Sequence, residues 1–291
     1  MALAAPVAAH AGGGDKEVPR TNTFGGDCVK CELSGREMRN AHFINANFSG
    51  ATMVGAKLRE AHFLASNFTG ADLTRADLSD SVMIGTLFTN AILNHAKFRD
   101  TQATGSVFQD ANLSGADLTD ATAQGANFTQ AQMIETVLHD ADLIGAVFVR
   151  VIARKANFHE ATLRAANLSY GHFEQASFRS ADMEMATLTN GNFEGADFKD
   201  ASLRHASIAS TDLSRARNLS QDQVDEACGD SRTRLPAGLT VKQCTGHFTM
   251  PRVRVTVTPG IPAPPAPPAP PAPPAPPPPG RSYLVAPQIA E

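Results

Sequence analysis

Ala71-Asp72-Leu73-Thr74-Arg75, Ala116-Asp117-Leu118-Thr119-Asp120 and Ala196-Asp197-Phe198-Lys199-Asp200 are three copies of one five-residue phrase. From Cys31 to Arg215 the chain divides into 37 such blocks, 185 residues without an insertion or deletion. The third residue is Leu, Phe, Met or Ile in 34 of the 37, the exceptions being Ala103, Ala123 and Ala153. The first residue is Ala in 25. A period of five fits neither the 3.6 of a helix nor the 2.0 of an extended strand. It fits a chain that turns a corner every five residues and sends two small or apolar side chains inward per side.

A longer period sits on top of the first. Phe fills the third position at Phe48, Phe68, Phe88, Phe108, Phe128 and Phe148, a spacing of 20. A four-sided coil of 20 residues would stack these rings in one internal column. The neighbouring column reads Phe43, Phe63, Met83, Ala103, Ala123, Leu143, with small residues beside the unbroken Phe run. Later the bulk moves to Phe158, Phe178 and Phe198, while the first column becomes Leu168, Leu188 and Ile208. Core volume per coil is conserved, as close packing requires.

These blocks resemble the pentapeptide-repeat family, whose pattern is A(D/N)LXX, over residues 31–215. The resemblance implies an all-β fold, a right-handed quadrilateral β-helix. At four blocks to a coil, the 37 blocks make about nine coils, a rod ~45 Å long at the ~4.8 Å strand spacing. Hydrogen bonds between coils leave open edges only at the two ends, which need caps.

The rhythm stops after Arg215. Ser220-Gln221-Asp222-Gln223 has capping-box spacing. It predicts a short helix from Gln221 to Cys228 closed by Gly229. The string from Leu219 to Leu239 is similar to the terminal segment of many bacterial members of the family, which implies that it covers the last coil. The expected organisation is a disordered leader or signal-peptide remnant over 1–27, the β-helix over 28–215, a cap over 216–250 and a disordered Pro/Ala-rich tail over 251–291. Ala9-His10-Ala11 looks like a small-x-small cleavage site, without a positive n-region or full apolar stretch. Val253, Val255 and Val257 alternate with polar residues as in an isolated strand. Thirteen of the 19 prolines lie between Pro262 and Pro279, and none between Thr21 and Leu235. The run can only be polyproline II, a stiff spacer of about 55 Å.

Composition narrows the function. The 42% hydrophobic content supports a real core, and no apolar run is long enough for a transmembrane helix. A net charge of −4 implies neither a nucleic-acid glove nor a polybasic membrane binder, so no direct nucleic-acid binding is expected. An uninterrupted repeat offers no concave pocket, and no Ser/His/Asp or Cys/His arrangement has a cleft to hold it. We therefore expect no catalytic residue, no metal and no cofactor.

Several residue sets nevertheless need a reading. Cys28 and Cys31 lie at one end of the rod and Cys228 and Cys244 at the other, too far apart for one zinc site. Cys31 reads as a small core residue, and Cys228 and Cys244 as a disulfide if the compartment is oxidising. That favours a periplasmic or secreted location, with cytoplasm the alternative. His42 and His62 are 20 apart, as are His139 and His159, which reads as outward ladders. Corner positions read Glu60, Asp80, Asp100, Asp120, Asp140, Glu160, Ser180 and Asp200, seven of the eight acidic, preceded by Arg59, Ser79, Arg99, Thr119, His139, His159, Arg179 and Lys199. The basic column is expected to neutralise the acidic one. The repeat body holds 21 acids and 15 bases, a net of −6.

Outward apolar residues complete the survey. Ile44, Leu64 and Ile84 share one position on successive coils, with Ile144 further on and Val82, Leu87 and Ile92 nearby. They are expected to form one patch where a second copy or another protein docks. The sequence thus points to a non-enzymatic scaffold or protein-binding rod with a stiff proline spacer. The alternative is a DNA-mimicking, gyrase-binding protein of the quinolone-resistance type, a role that some family members imply.

Overall fold

The structure is a computed structural model and describes residues 26–244. The leader, the Val253–Val257 strand and the proline run lie outside the described residues.

Parallel bridges join each second-position residue to the residue 20 further on, from Asp27 with Asn47 to Asp197 with Arg217. One of these contacts, His42 with His62, lengthens into two short strands, β1 (His42–Ile44) and β2 (His62–Leu64), paired in parallel with Ile44 opposite Leu64. Every fifth residue from Lys30 to Ser210 is left-handed, with φ between 50° at Ala65 and 69° at Gly115. A left-handed third residue is what a type II turn demands. The chain therefore turns after each block, and four turns return it to register.

The block pattern follows from where its N–H groups go. In Ala71–Arg75, Asp72 N–H bonds back to Ala51 O at 2.9 Å, while Leu73 and Arg75 bond forward to Ile92 O and Asn94 O at 2.7 and 2.9 Å. Ala76 N–H closes the corner on Leu73 O at 2.9 Å. Only the fourth N–H lacks a main-chain acceptor. The second-position Asp or Asn takes it: Thr74 N–H donates to Asp72 Oδ1 and Thr69 N–H to Asn67 Oδ1, each at 2.9 Å. This is the Asx turn, and it gives the second letter of the phrase a physical cause. Proline would delete one of these donors, so the body excludes it.

First and third positions face inward. The six rings from Phe48 to Phe148 are all buried and stack face to face, with centroids 4.9–5.1 Å apart. Phe98 meets Phe88 and Phe108 edge-on, at 6.2 and 6.0 Å. Polar residues at first positions bury their hydroxyls on carbonyls: Thr86 donates to Phe63 O at 2.6 Å and Thr211 to Leu188 O at 2.8 Å. Gly171 and Gly191 replace Ala where Phe173 and Phe193 crowd the wall; an added Cβ would stand 2.3 and 2.5 Å from their rings.

The C-terminal segment continues the ladder out of register. Helix α1 spans Gln221–Glu226, with a full capping box between Ser220 and Gln223. It stops short of the expected Cys228, and the extended Ala227, rather than Gly229, closes it. The cause is that Cys228 rejoins the sheet, its N–H on Ala206 O at 3.0 Å. Gln223 Nε2 donates to Phe198 O and Ala201 O, at 2.7 and 2.8 Å, main-chain acceptors at the edge of the last coil. Val224 is fully buried. Cys228 is joined to Cys244 and Cys28 to Cys31. Cys31 is therefore a disulfide partner rather than the simple core residue expected of it.

Candidate functional site

Second and fourth positions make the outer surface, and a side chain's face is fixed by which corners bracket it. Ile44 and Ile84 are 43% and 44% exposed, and Leu64 between them is half-buried. The three stand in line across β1, β2 and the next coil, flanked by half-buried Val82. Beside them His42 and His62 stack with centroids 4.4 Å apart; burial, then His42, lowers the pKa of His62. Ile144 is exposed in the same column, but Thr104 and Gln124 interrupt it.

Leu87 and Ile92 do not belong to this line. Val82 bridges to His62 and Gln102, Leu87 to Asn67 and Val107, and Ile92 to Asp72 and Asn112. The left-handed corners at Gly85 and Asn90 separate the three ladders. Leu87 thus lies one face round from Ile84 and Ile92 two faces round, so the expected single patch is a line of three with neighbours pointing elsewhere. A residue's distance along the chain said nothing of the intervening turns.

The acidic corner column also differs from expectation. Of the corner acids, only Asp80 is paired with an Arg or Lys of the basic column, with Arg59 Nη2 at 2.6 Å. Arg99 turns aside to Asp117 at 2.5 Å and Arg179 to Asp197 at 3.3 Å. These second-position acids already accept a main-chain N–H, so they are fixed targets that a long guanidinium reaches easily. Asp117 and Asp197 both titrate below the usual carboxylate range: burial works against this, and the hydrogen bonds and arginines outweigh it. The neutralising column is therefore incomplete between Asp120 and Glu160. There the basic positions are held by Thr119, His139 and His159.

The histidine pair is ordered by main chain. Each Nδ1 lies 2.9 Å from a carbonyl oxygen of the next coil, His139 on His159 O and His159 on Arg179 O. The rings stack at 5.0 Å. Each Nε2 faces the carboxylate that follows it, Asp140 at 3.3 Å and Glu160 at 3.5 Å. Sequence reading identified the spacing but not this setting, because the carbonyls come from the coil above. Elsewhere, Glu184 sits nearly buried between Arg164 and Arg204, at 3.1 and 2.6 Å. A shallow surface depression is lined by Arg59, Asp77, Ser79, Lys97, Arg99 and Asp117. No helix among them is long and apolar enough to cross a membrane.

Several solved structures and one family model are similar to the chain. Among solved structures, HetL, a pentapeptide repeat protein involved in heterocyst differentiation regulation from the cyanobacterium Nostoc sp. strain PCC 7120, is 22% identical over 68% of this chain and 91% of its own, with a TM-score of 0.47. QnrB1, a plasmid-mediated fluoroquinolone resistance protein, is 20% identical over 72% and 91%, with a TM-score of 0.31. A pentapeptide repeat protein from the Arabidopsis thaliana thylakoid lumen is 29% identical over 36% and 70%, with a TM-score of 0.23. No curated protein matches the chain. The family model described as pentapeptide repeats matches eight copies, at residues 27–63, 66–102, 111–150, 156–195 and 186–217. With more than half its length matched by that model, the chain belongs to the pentapeptide-repeat family.

Proposed function

We propose that the chain is a non-enzymatic scaffold that binds protein along an outer face. Its body is a right-handed quadrilateral β-helix of about nine coils, closed at one end by α1 and the segment after it. The observation that carries this reading is that Ile44, Leu64 and Ile84 stand in one unbroken line on successive coils, whereas the exposed Leu87 and Ile92 lie singly on other faces. Apolar side chains spaced along a rigid ladder suit a flat partner better than a small molecule. A second copy is the occupant the line fits best. An isologous contact sets a surface against itself, which an apolar line tolerates and an acidic corner does not. The paired cysteines at both ends suit an oxidising compartment.

The triple variant Ile44→Asn, Leu64→Asn, Ile84→Asn tests it by sedimentation. It should keep a thermal midpoint within about 2 °C of the parent and lose self-association. Unchanged association would end this reading. The alternative of an acidic rod standing in for DNA has less support. A net of −6 over the repeat body compares with some 26 charges on ~45 Å of duplex.

A further inference from the structure

The corner between Asp120 and Glu160 is short of positive charge. Asp120, Asp140 and Glu160 succeed one another up the column, and among the described residues none has a Lys or Arg within ion-pair distance. The nearest arginines of the basic column are committed to Asp117 and Asp197. What stands beside the three acids is His139 and His159.

The hydrogen bonds fix the state of those rings. A carbonyl oxygen only accepts, so each Nδ1 must carry its proton and donate. In the neutral ring Nε2 is then a bare lone pair, and each one looks at a carboxylate oxygen, 3.3 and 3.5 Å away. Acceptor facing anion is unfavourable on both coils. Two protons would relieve it, but would place like charges on rings stacked at 5.0 Å. One divalent cation would relieve it at a single point.

We propose that this corner is a binding site for a single divalent transition-metal ion of the Zn2+ class, held by Nε2 of His139, Nε2 of His159 and a carboxylate oxygen of Glu160, with water completing the shell. One ligand atom from each of these three residues, a ring nitrogen of each histidine and a carboxylate oxygen, lies within 4.8 Å of the others. Bonds of ~2.0–2.2 Å need them roughly 3.3–4.2 Å apart, a closure of about an ångström for side chains at the surface. A main-chain acceptor on the far nitrogen is the usual support of a metal-bound imidazole, because it fixes ring and tautomer before the ion arrives. Imidazole donors select Zn2+, Ni2+, Co2+ or Cu2+ over Mg2+ and Ca2+. Stacking alone does not make the site: His42 and His62 are closer together, yet neither has a carboxylate within ion-pair distance among the described residues.

The test is calorimetric titration of the full chain, stripped with chelator, with Zn2+ alone. One equivalent should bind at this site. His139→Gln with His159→Gln should weaken that binding by at least about tenfold, and Glu160→Gln by less. His42→Gln with His62→Gln should change nothing. Absence of near-stoichiometric binding overturns the proposal, as does binding that survives the His139/His159 double variant. If that variant fails to fold, diethyl pyrocarbonate labelling of the parent decides. Zn2+ protection centred on His139 and His159 supports the site, and protection confined to other histidines refutes it.

Discussion

At a single position, volume and backbone conformation set the choice. Gly171 is not left-handed; it is glycine because the Phe173 edge occupies the space of a methyl group. Gly171→Ala should cost ~1–3 kcal/mol by overpacking. Phe173→Leu should recover most of that loss when combined with it, since the two share one volume. A denaturation cycle reads the coupling, and additive losses would mean that the ring is not the obstacle. The fifth positions obey a different rule. Tyr170 and Met185 are left-handed at φ 61° and 56°, at a cost of roughly 1–2 kcal/mol each. The inter-coil bond from each N–H, to Thr189 O and Arg204 O, holds them there.

At the element scale the terminal segment matters most. Asp230 gathers the N–H groups of Ser210 and Arg232 and the hydroxyls of Ser210 and Thr233, tying the segment to the last coils. Ser210 above all holds its carboxyl well below the usual range. A depressed folded pKa stabilises above the unfolded value, near 3.9, and that contribution disappears as pH falls through the folded one. Asp230→Asn keeps an acceptor and loses the charge. The difference in thermal midpoint between parent and variant should be fully open at neutral pH and narrow progressively as pH falls below about 4. A gap independent of pH would show that the charge is immaterial.

For the whole molecule, register is the governing quantity, because each coil meets only its neighbours. Deleting residues 116–120 turns every later side through one corner and sets Phe128 and Phe148 over the wrong column. Deleting 111–130 removes one complete turn and restores every ladder. The first deletion should abolish cooperative unfolding and the second preserve it; equal behaviour in denaturation would disprove the 20-residue repeat. The oxidised ends belong to the same scale. Non-reducing peptide mapping of freshly trapped protein from its own cell should show the Cys28–Cys31 and Cys228–Cys244 bridges. Four free thiols would place the chain in a reducing compartment.

Much of the fold was legible in the sequence because a strict period leaves few geometries open. Five residues per corner and 20 per turn assign inside and outside to nearly every side chain, and they put Phe48 to Phe148 in one stack before any coordinate is known. Tertiary structure decided what depends on contacts between coils and around corners. It dispersed Ile84, Leu87 and Ile92 over three faces, because each corner rotates the chain by a side. It drew Arg99 from its corner acid to Asp117 and set Arg179, whose own corner is Ser180, on Asp197, because a guanidinium reaches the better-fixed carboxylate. It gave His139 and His159 their tautomer through carbonyls 20 residues further along the chain, a distance that only the closed coil makes short.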